Sequence, residues 1–119
     1  MPNLTVPPEA VNGSPYFAIV AKAPIYKYSN GKKVSEDPIG YRISTLCPGV
    51  RYAAMSVRID SSKDPLPDLT EEDIDKACRD FDPFIVRFSD DCKISLYTID
   101  GQMHMSGTAS GVQLVDQNK

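Results

Sequence analysis

Residues 24–34 read PIYKYSNGKKV: Tyr26 and Tyr28 flank Lys27, an Asn-Gly pair follows, and Lys32 and Lys33 come next. Further along, Arg42, Arg51, Tyr52 and Arg58 repeat the mixture of ring and cation. A flat ring offers a face on which a base can stack, and a cation beside it can hold a phosphate. The two together are what single-stranded nucleic acid requires of a surface, each stacked base contributing roughly 1–3 kcal/mol as read by alanine substitution. A generic account competes with this one, because tyrosine favours strands and lysine discourages aggregation on exposed hairpins and sheet edges. Residue by residue the generic account suffices. As a group on neighbouring strands, Tyr26, Lys27, Tyr28, Lys32, Lys33, Arg42, Arg51, Tyr52 and Arg58 read as a binding surface.

Residues that would support catalysis are sparse. His104 is the single histidine and lies between Met103 and Met105 in an expected strand, which suits a surface or packing role. Asp90 and Asp91 are adjacent, and neighbours on an extended chain point oppositely, so they do not form a carboxylate dyad. The stretch SGTASG (106–111) lacks the Lys-Ser/Thr of a phosphate-binding loop, and no G-x-S-x-G is present. Cys47, Cys78 and Cys92 are odd in number and far apart, without a C-x-x-C pair, and read as reduced thiols rather than a disulfide framework or zinc site. The expectation is a non-catalytic chain with no cofactor and no metal.

The net charge of -3 conceals a division along the chain. Residues 16–58 carry seven Lys/Arg against two Asp/Glu, whereas residues 59–92 carry four against eleven. Such asymmetry bears on partners more than on fold. A length of 119 residues, with 41% hydrophobic and 24% charged residues, indicates one globular domain with a real core. No apolar run reaches the roughly 20 residues that span a bilayer, and the N-terminus lacks the basic and apolar regions of a secretory signal. A cytoplasmic protein without membrane association is expected.

The elements that must position the cations and rings follow from periodicity and turn chemistry. Residues 1–15, rich in Pro, Asn and Gly, read as an irregular lead-in to a single domain over 16–119. Residues 16–28 form one long or interrupted strand ending at the Asn30-Gly31 hairpin turn. Strands at 41–46 and 51–59 follow, the second with Met55, Val57 and Ile59 on one face and Tyr52, Ala54, Ser56 and Arg58 on the other. A helix is expected over about 70–81, with Thr70 as N-cap, Asp73 closing a capping box, Leu69 stapling onto Ile74, and a stripe of Ile74, Ala77, Cys78 and Phe81 facing the sheet. Strands at 84–88, 92–99 and 102–115 complete the chain around a tight Asp100-Gly101 turn, with Gly107 and Gly111 marking a bulge or bend.

The order β-β-β-α-β-β is that of the small antiparallel oligonucleotide/oligosaccharide-binding (OB) barrel, whose second and third strands and neighbouring loops carry ligands. In layout the chain resembles the small OB-fold single-stranded DNA-binding proteins of phages and conjugative elements, including the helicase-processivity factors encoded beside conjugative relaxases. The likeness covers about residues 16–115: the hairpin bearing Tyr and Lys, a Pro-containing middle, and the terminal hairpin YTIDGQMHMSGTASGVQLV. It implies binding of single-stranded DNA in replication or transfer of such an element, with Tyr26, Tyr28, Lys32 and Lys33 in the family's early-hairpin role. An accessory factor of this kind would also meet a helicase, relaxase or other replication protein through its acidic helix, and could pair as a homodimer. A reading from another class stands beside it: a protein-interaction module that docks a basic partner on Glu71, Glu72, Asp75 and Asp80.

Overall fold

The computed structural model describes residues 4–13, 15–48 and 53–115. The elements are β1 (Leu4–Val6), α1 (Pro8–Asn12), β2 (Tyr16–Ile25), β3 (Tyr28–Ser29), β4 (Lys32–Lys33), β5 (Gly40–Cys47), β6 (Ala53–Ile59), α2 (Glu71–Arg79), β7 (Ile85–Phe88), β8 (Lys93–Ile99), β9 (Gln102–Ala109) and β10 (Val112–Leu114). Eight of the strands form one curled sheet, a half-barrel, in the order β1-β8-β9-β6-β5-β2-β7-β10, while β3 and β4 pair as a separate small hairpin. The fold is mainly β, as the sequence indicates.

Strands β5 and β6 are antiparallel neighbours at 41–46 and 53–59, as expected from the turn signal between them. One pairing departs from the antiparallel expectation: β6 and β9 run parallel. A tight turn can join only antiparallel strands, but the long connection from β6 through α2 and the β7–β8 segment permits the parallel neighbour. The expected lead-in also holds structure. β1 pairs with β8, and α1 starts with proline in its first turn and ends on Gly13 at φ 74, the left-handed cap glycine supplies without strain. Val6 and Val11 from this segment pack against the core, which is why it is ordered.

The core gathers Phe17, Ile19, Ile43, Met55, Val57, Ile59, Val86, Phe88 and Ile94 from one face of the sheet and Ile74 from α2. A bulge at Val20 shifts the register of β2 against β5 between Ile19 and Ala21. One extra residue reverses which side chains face inward. Phe17 and Ile19 point to the core before it; after it Ala21 and Ala23 are exposed and Lys22 is buried. The buried ammonium donates to both carboxylate oxygens of Asp64 (2.8 and 3.0 Å) and to the carbonyls of Leu66 (2.9 Å) and Leu69 (2.6 Å). Lys22 thereby fastens the Pro-rich segment before α2 to the sheet.

Helix α2 begins at Thr70 as expected, with its hydroxyl accepting from the Asp73 amide and the Asp73 carboxylate accepting from the Thr70 amide. Ile74 is buried, and Ala77 and Cys78 are half-buried. Phe81 departs from the expected stripe. The helix stops at Arg79, Phe81 takes a left-handed φ of 58, and its ring is 94% exposed. Once the helical geometry ends, the 3.6-residue period no longer places a side chain.

Candidate nucleic-acid interface

The outward face of the curled sheet is built by register. Residues directly opposite on neighbouring strands share a face. Arg42 lies opposite Arg58, Arg58 beside Thr108, and Thr108 opposite Lys93, so one transverse row crosses β5, β6, β9 and β8. The next row runs Ser44, Ser56, Ser106, Ser95. One pair further along the β8–β9 hairpin, Tyr97 faces His104, their rings stacked at 5.5 Å between centroids and 16° between planes. The opposite face of these strands carries Ile43, Val57 and Ile94, all buried. Gly107 lies on that inner side, where an added Cβ would meet the Lys93 carbonyl at 3.0 Å and Val57 at 3.3 Å. Gly40 opens β5 for a similar reason: a Cβ there would come within 2.7 Å of the Ile59 carbonyl.

Arg42 and Arg58 deserve comparison. Like charges placed opposite each other in an antiparallel pair are destabilising. Arg58 is relieved by an exposed ion pair with Asp60 at 2.7 Å. Among the described residues Arg42 has no ion pair. The fold therefore sets two arginines directly opposite each other while Asp60 pairs with Arg58 alone, an arrangement that an anion would relieve.

The basic hairpin projects from the same end of the sheet. β2 ends at Ile25, opposite Gly40, two residues from Arg42. Asn30 and Gly31 both have positive φ, 53 and 79, as a tight hairpin turn requires, and they set Tyr28 opposite Lys33 and Ser29 opposite Lys32. Tyr26 and Lys27 lie between strands, so the two tyrosines do not share one continuous strand face. Tyr28 is 61% exposed, whereas Tyr26 is half-buried with the Lys33 ammonium 4.3 Å from its ring centre. That cation–π contact occupies one face of the Tyr26 ring. Lys27, Lys32 and Lys33 are exposed. Of the nine residues read from the sequence, Tyr26, Lys27, Tyr28, Lys32, Lys33, Arg42 and Arg58 thus gather at one end of the sheet; Arg51 and Tyr52 lie outside the described residues.

Acidic groups lie both here and elsewhere: Asp60 pairs with Arg58, and the exposed Glu36 and Asp37 join the hairpin to β5. Glu71 and Asp75 of α2 line a shallow depression with Ala21, Lys22 and Ala23, along the β2 flank of the outward face. No ion pair joins Lys32 or Lys33 to Glu71 or Glu72 among the described residues. At the break between β7 and β8, Asp91 accepts from the Ser89 hydroxyl and from the Ser110 amide (3.1 Å) and hydroxyl (3.1 Å). The Ser89 hydrogen bond first, then those of Ser110, hold the Asp91 carboxyl below the usual carboxylate range. The carboxylate thus ties the β7–β8 connection, through Ser89, to the bend between β9 and β10, through Ser110, and its work there is structural. Cys47 and Cys92 are buried thiols pushed up to about 11 by that burial, and they stay protonated at neutral pH. No group of three or more His, Cys, Asp or Glu side chains is placed to hold a metal ion among the described residues. No helix among them is long and apolar enough to cross a membrane.

Lys93, Tyr97 and His104 were not singled out as binding residues from the sequence. A signal for Tyr97 and His104 was nonetheless present, because a two-residue turn at Asp100-Gly101 pairs residues equidistant from it. No protein-family model, curated protein or solved structure matches the chain.

Proposed function

We propose that the chain binds single-stranded DNA, without catalysis, on the outward face of β5 and β6 and on the basic hairpin that precedes them. The observation that carries this reading is the direct opposition of Arg42 and Arg58. That pair lies at the end of the sheet from which Tyr28, Lys32 and Lys33 project. We also read the curled sheet as an OB-like barrel. Three features support this: β2 is shared between β5 and β7, β6 pairs in parallel with β9, and the successive strands β9 and β10 pair with β8 and β7 respectively. In that arrangement β5 and β6 are the second and third barrel strands, where such barrels take oligonucleotides. A setting in the replication or transfer of phage or conjugative DNA, in the cytoplasm, accords with the resemblance in layout.

The test is a fluorescence-anisotropy titration with labelled oligo-dT from about 50 to about 200 mM salt. Affinity is expected to fall with a log-log slope of about -0.7 per phosphate engaged, or roughly -3 for four or five cations. Duplex DNA binds more weakly, because its bases are already stacked. No binding at low salt, or binding indifferent to salt, refutes the reading.

A second reading draws on Phe81. An aromatic ring 94% exposed at a left-handed position, beside Asp80 and Asp82 and at the end of an acidic helix, suits docking of a basic segment that carries an apolar anchor. A replication protein bearing such a segment would engage the helix while the sheet holds DNA. Phe81→Ala and Glu72→Lys should then abolish capture of that protein and leave oligo-dT affinity intact; loss of both together would argue against separate surfaces.

A further inference from the structure

We infer that the DNA path continues across the sheet onto β9 and β8, where Lys93 holds phosphate and the Tyr97–His104 pair supplies a platform for a base. This rests on the single-strand reading and extends it to residues that no sequence pattern assigned to binding.

The register carries the inference. Arg42, Arg58, Thr108 and Lys93 occupy one row, so Lys93 stands about 14 Å from Arg42, three strand spacings away, on the same exposed face. Lys93 has no ion pair among the described residues. Tyr97 lies four residues along β8 from Lys93, about 13 Å on the same face. Between them the surface carries only Ser95 and Ser106, short side chains that leave the face open to a strand lying on it. Tyr97 and His104 are half-buried with their rings stacked on each other, so part of the stacked pair is open to solvent on this face. A base added there extends an existing stack, at less ordering cost than a free ring would incur.

Direction follows from charge. On the β2 side the row ends at Ala23, beside the acidic Glu71 and Asp75 of α2. A polyanion crossing Arg42 and Arg58 is repelled at that flank and meets a cation again at Lys93, where the neighbouring Asp90 is paired with Arg87 and Asp91 is engaged by Ser89 and Ser110. The occupant is therefore a single strand that enters at the hairpin, crosses the arginines and leaves over β8.

The experiment compares Arg42→Ala, Lys93→Ala, Tyr97→Leu and His104→Ala by anisotropy with oligo-dT at several salt concentrations. Lys93→Ala should flatten the salt slope by about 0.7, the coefficient for one phosphate. Tyr97→Leu and His104→Ala should weaken binding roughly 5- to 100-fold at every salt concentration with the slope unchanged, since stacking releases no counterions. Photocrosslinking of the unaltered protein to bromodeoxyuridine-substituted oligo-dT, with the modified peptide mapped, gives a readout independent of variant folding. Crosslinks within residues 93–108 are expected. If Arg42→Ala weakens binding while Lys93→Ala and Tyr97→Leu bind like the parent, or if crosslinks fall only on 26–58, the inference is overturned and the single-strand reading stands. If the parent binds no oligonucleotide, both fall.

Discussion

Replacing Lys22 by methionine should destabilise the fold by about 3 kcal/mol, and the figure can be built from the contacts of one nitrogen. The ammonium is 6% exposed and its hydrogens are shared among Asp64, the Leu66 carbonyl and the Leu69 carbonyl. Methionine keeps most of the volume and abolishes all of these bonds. The Leu69 carbonyl, left buried and unpaired, costs about 1–3 kcal/mol, whereas the Leu66 carbonyl still accepts from the Leu69 amide at 3.1 Å. Asp64 loses its counter-charge, but its side chain is 34% exposed and still accepts from the Leu66 amide at 2.9 Å, so it recovers hydration. The sum lies near the lower end of the 3–5 kcal/mol measured when one partner of a buried pair is removed. In a chain of this length that corresponds to a fall in Tm of about 12 °C. Urea melts followed by circular dichroism should show the midpoint falling with the slope m unchanged. Asp64→Asn should cost less, since its amide oxygen still accepts. A Lys22→Met variant within about 0.5 kcal/mol of the parent would falsify the reasoning, and would mean that the segment before α2 is held by Leu66 and Leu69 burial alone.

Four further outcomes are expected. Tyr28→Ala should weaken oligo-dT binding by about 1–3 kcal/mol at all salt concentrations, while Lys32→Ala combined with Lys33→Ala should flatten the salt slope by roughly 1.4; unchanged binding with lowered thermal stability would make these residues structural. Gly40→Ala should cost about 1–3 kcal/mol in a chemical melt, because its Cβ cannot fit within 2.7 Å of the Ile59 carbonyl unless β5 and β6 move apart, and a neutral result would refute that close approach. Phe81→Asn should stabilise by up to about 1 kcal/mol, since asparagine tolerates the left-handed φ of 58 and the exposed ring gives up no burial; a loss of stability would show that the ring packs. Asp91 has a depressed carboxyl, so its stabilisation is present above the ordinary carboxylate pKa of about 3.9 and is lost as pH falls through its lower folded value; the Tm gap between the parent and Asp91→Asn should be full at pH 6 and close in strong acid.

Much of the fold was legible where local chemistry decides it. Thr70 and Asp73 specify the helix start, Asn30-Gly31 and Asp100-Gly101 specify two hairpins, and the alternation Met55, Val57, Ile59 specifies the inner face of β6. What failed depended on distant partners. The phase of β2 reverses at Val20, and only the partner strand reveals the bulge, so nothing in the sequence marked Lys22, counted there only among the cations of 16–58, as a buried anchor. Phe81 fits a helical stripe only if the helix continues past Arg79. The parallel β6–β9 pair joins segments far apart in sequence, and no turn announces it. At the candidate site, composition found the hairpin and the arginines but could not show that Arg42 meets Arg58, because a loop between strands, unlike a two-residue turn, does not set register.

The division of charge along the chain becomes a division in space through two alanines. Segment 16–58 supplies β2, the hairpin, β5 and β6, with Arg42, Arg58 and the hairpin lysines exposed; segment 59–92 supplies α2, whose Glu71 and Asp75 lie along the flank of β2. What separates the two fields is Ala21 and Ala23, the residues that the Val20 bulge turns outward. Had the strand kept its phase, Lys22 would stand at this border, within reach of Glu71 and Asp75, and would cancel part of the acidic flank. Turned inward, the same lysine fastens the segment that leads into the helix, and the border is left to small neutral side chains. At physiological salt the Debye length is about 8 Å, so fields blend across a narrow border and persist only where like charges are grouped. The bulge groups them. It leaves Arg42, Arg58 and the hairpin lysines grouped on one face, with Glu71 and Asp75 along the β2 flank, an asymmetry that helps set the direction in which a polyanion lies.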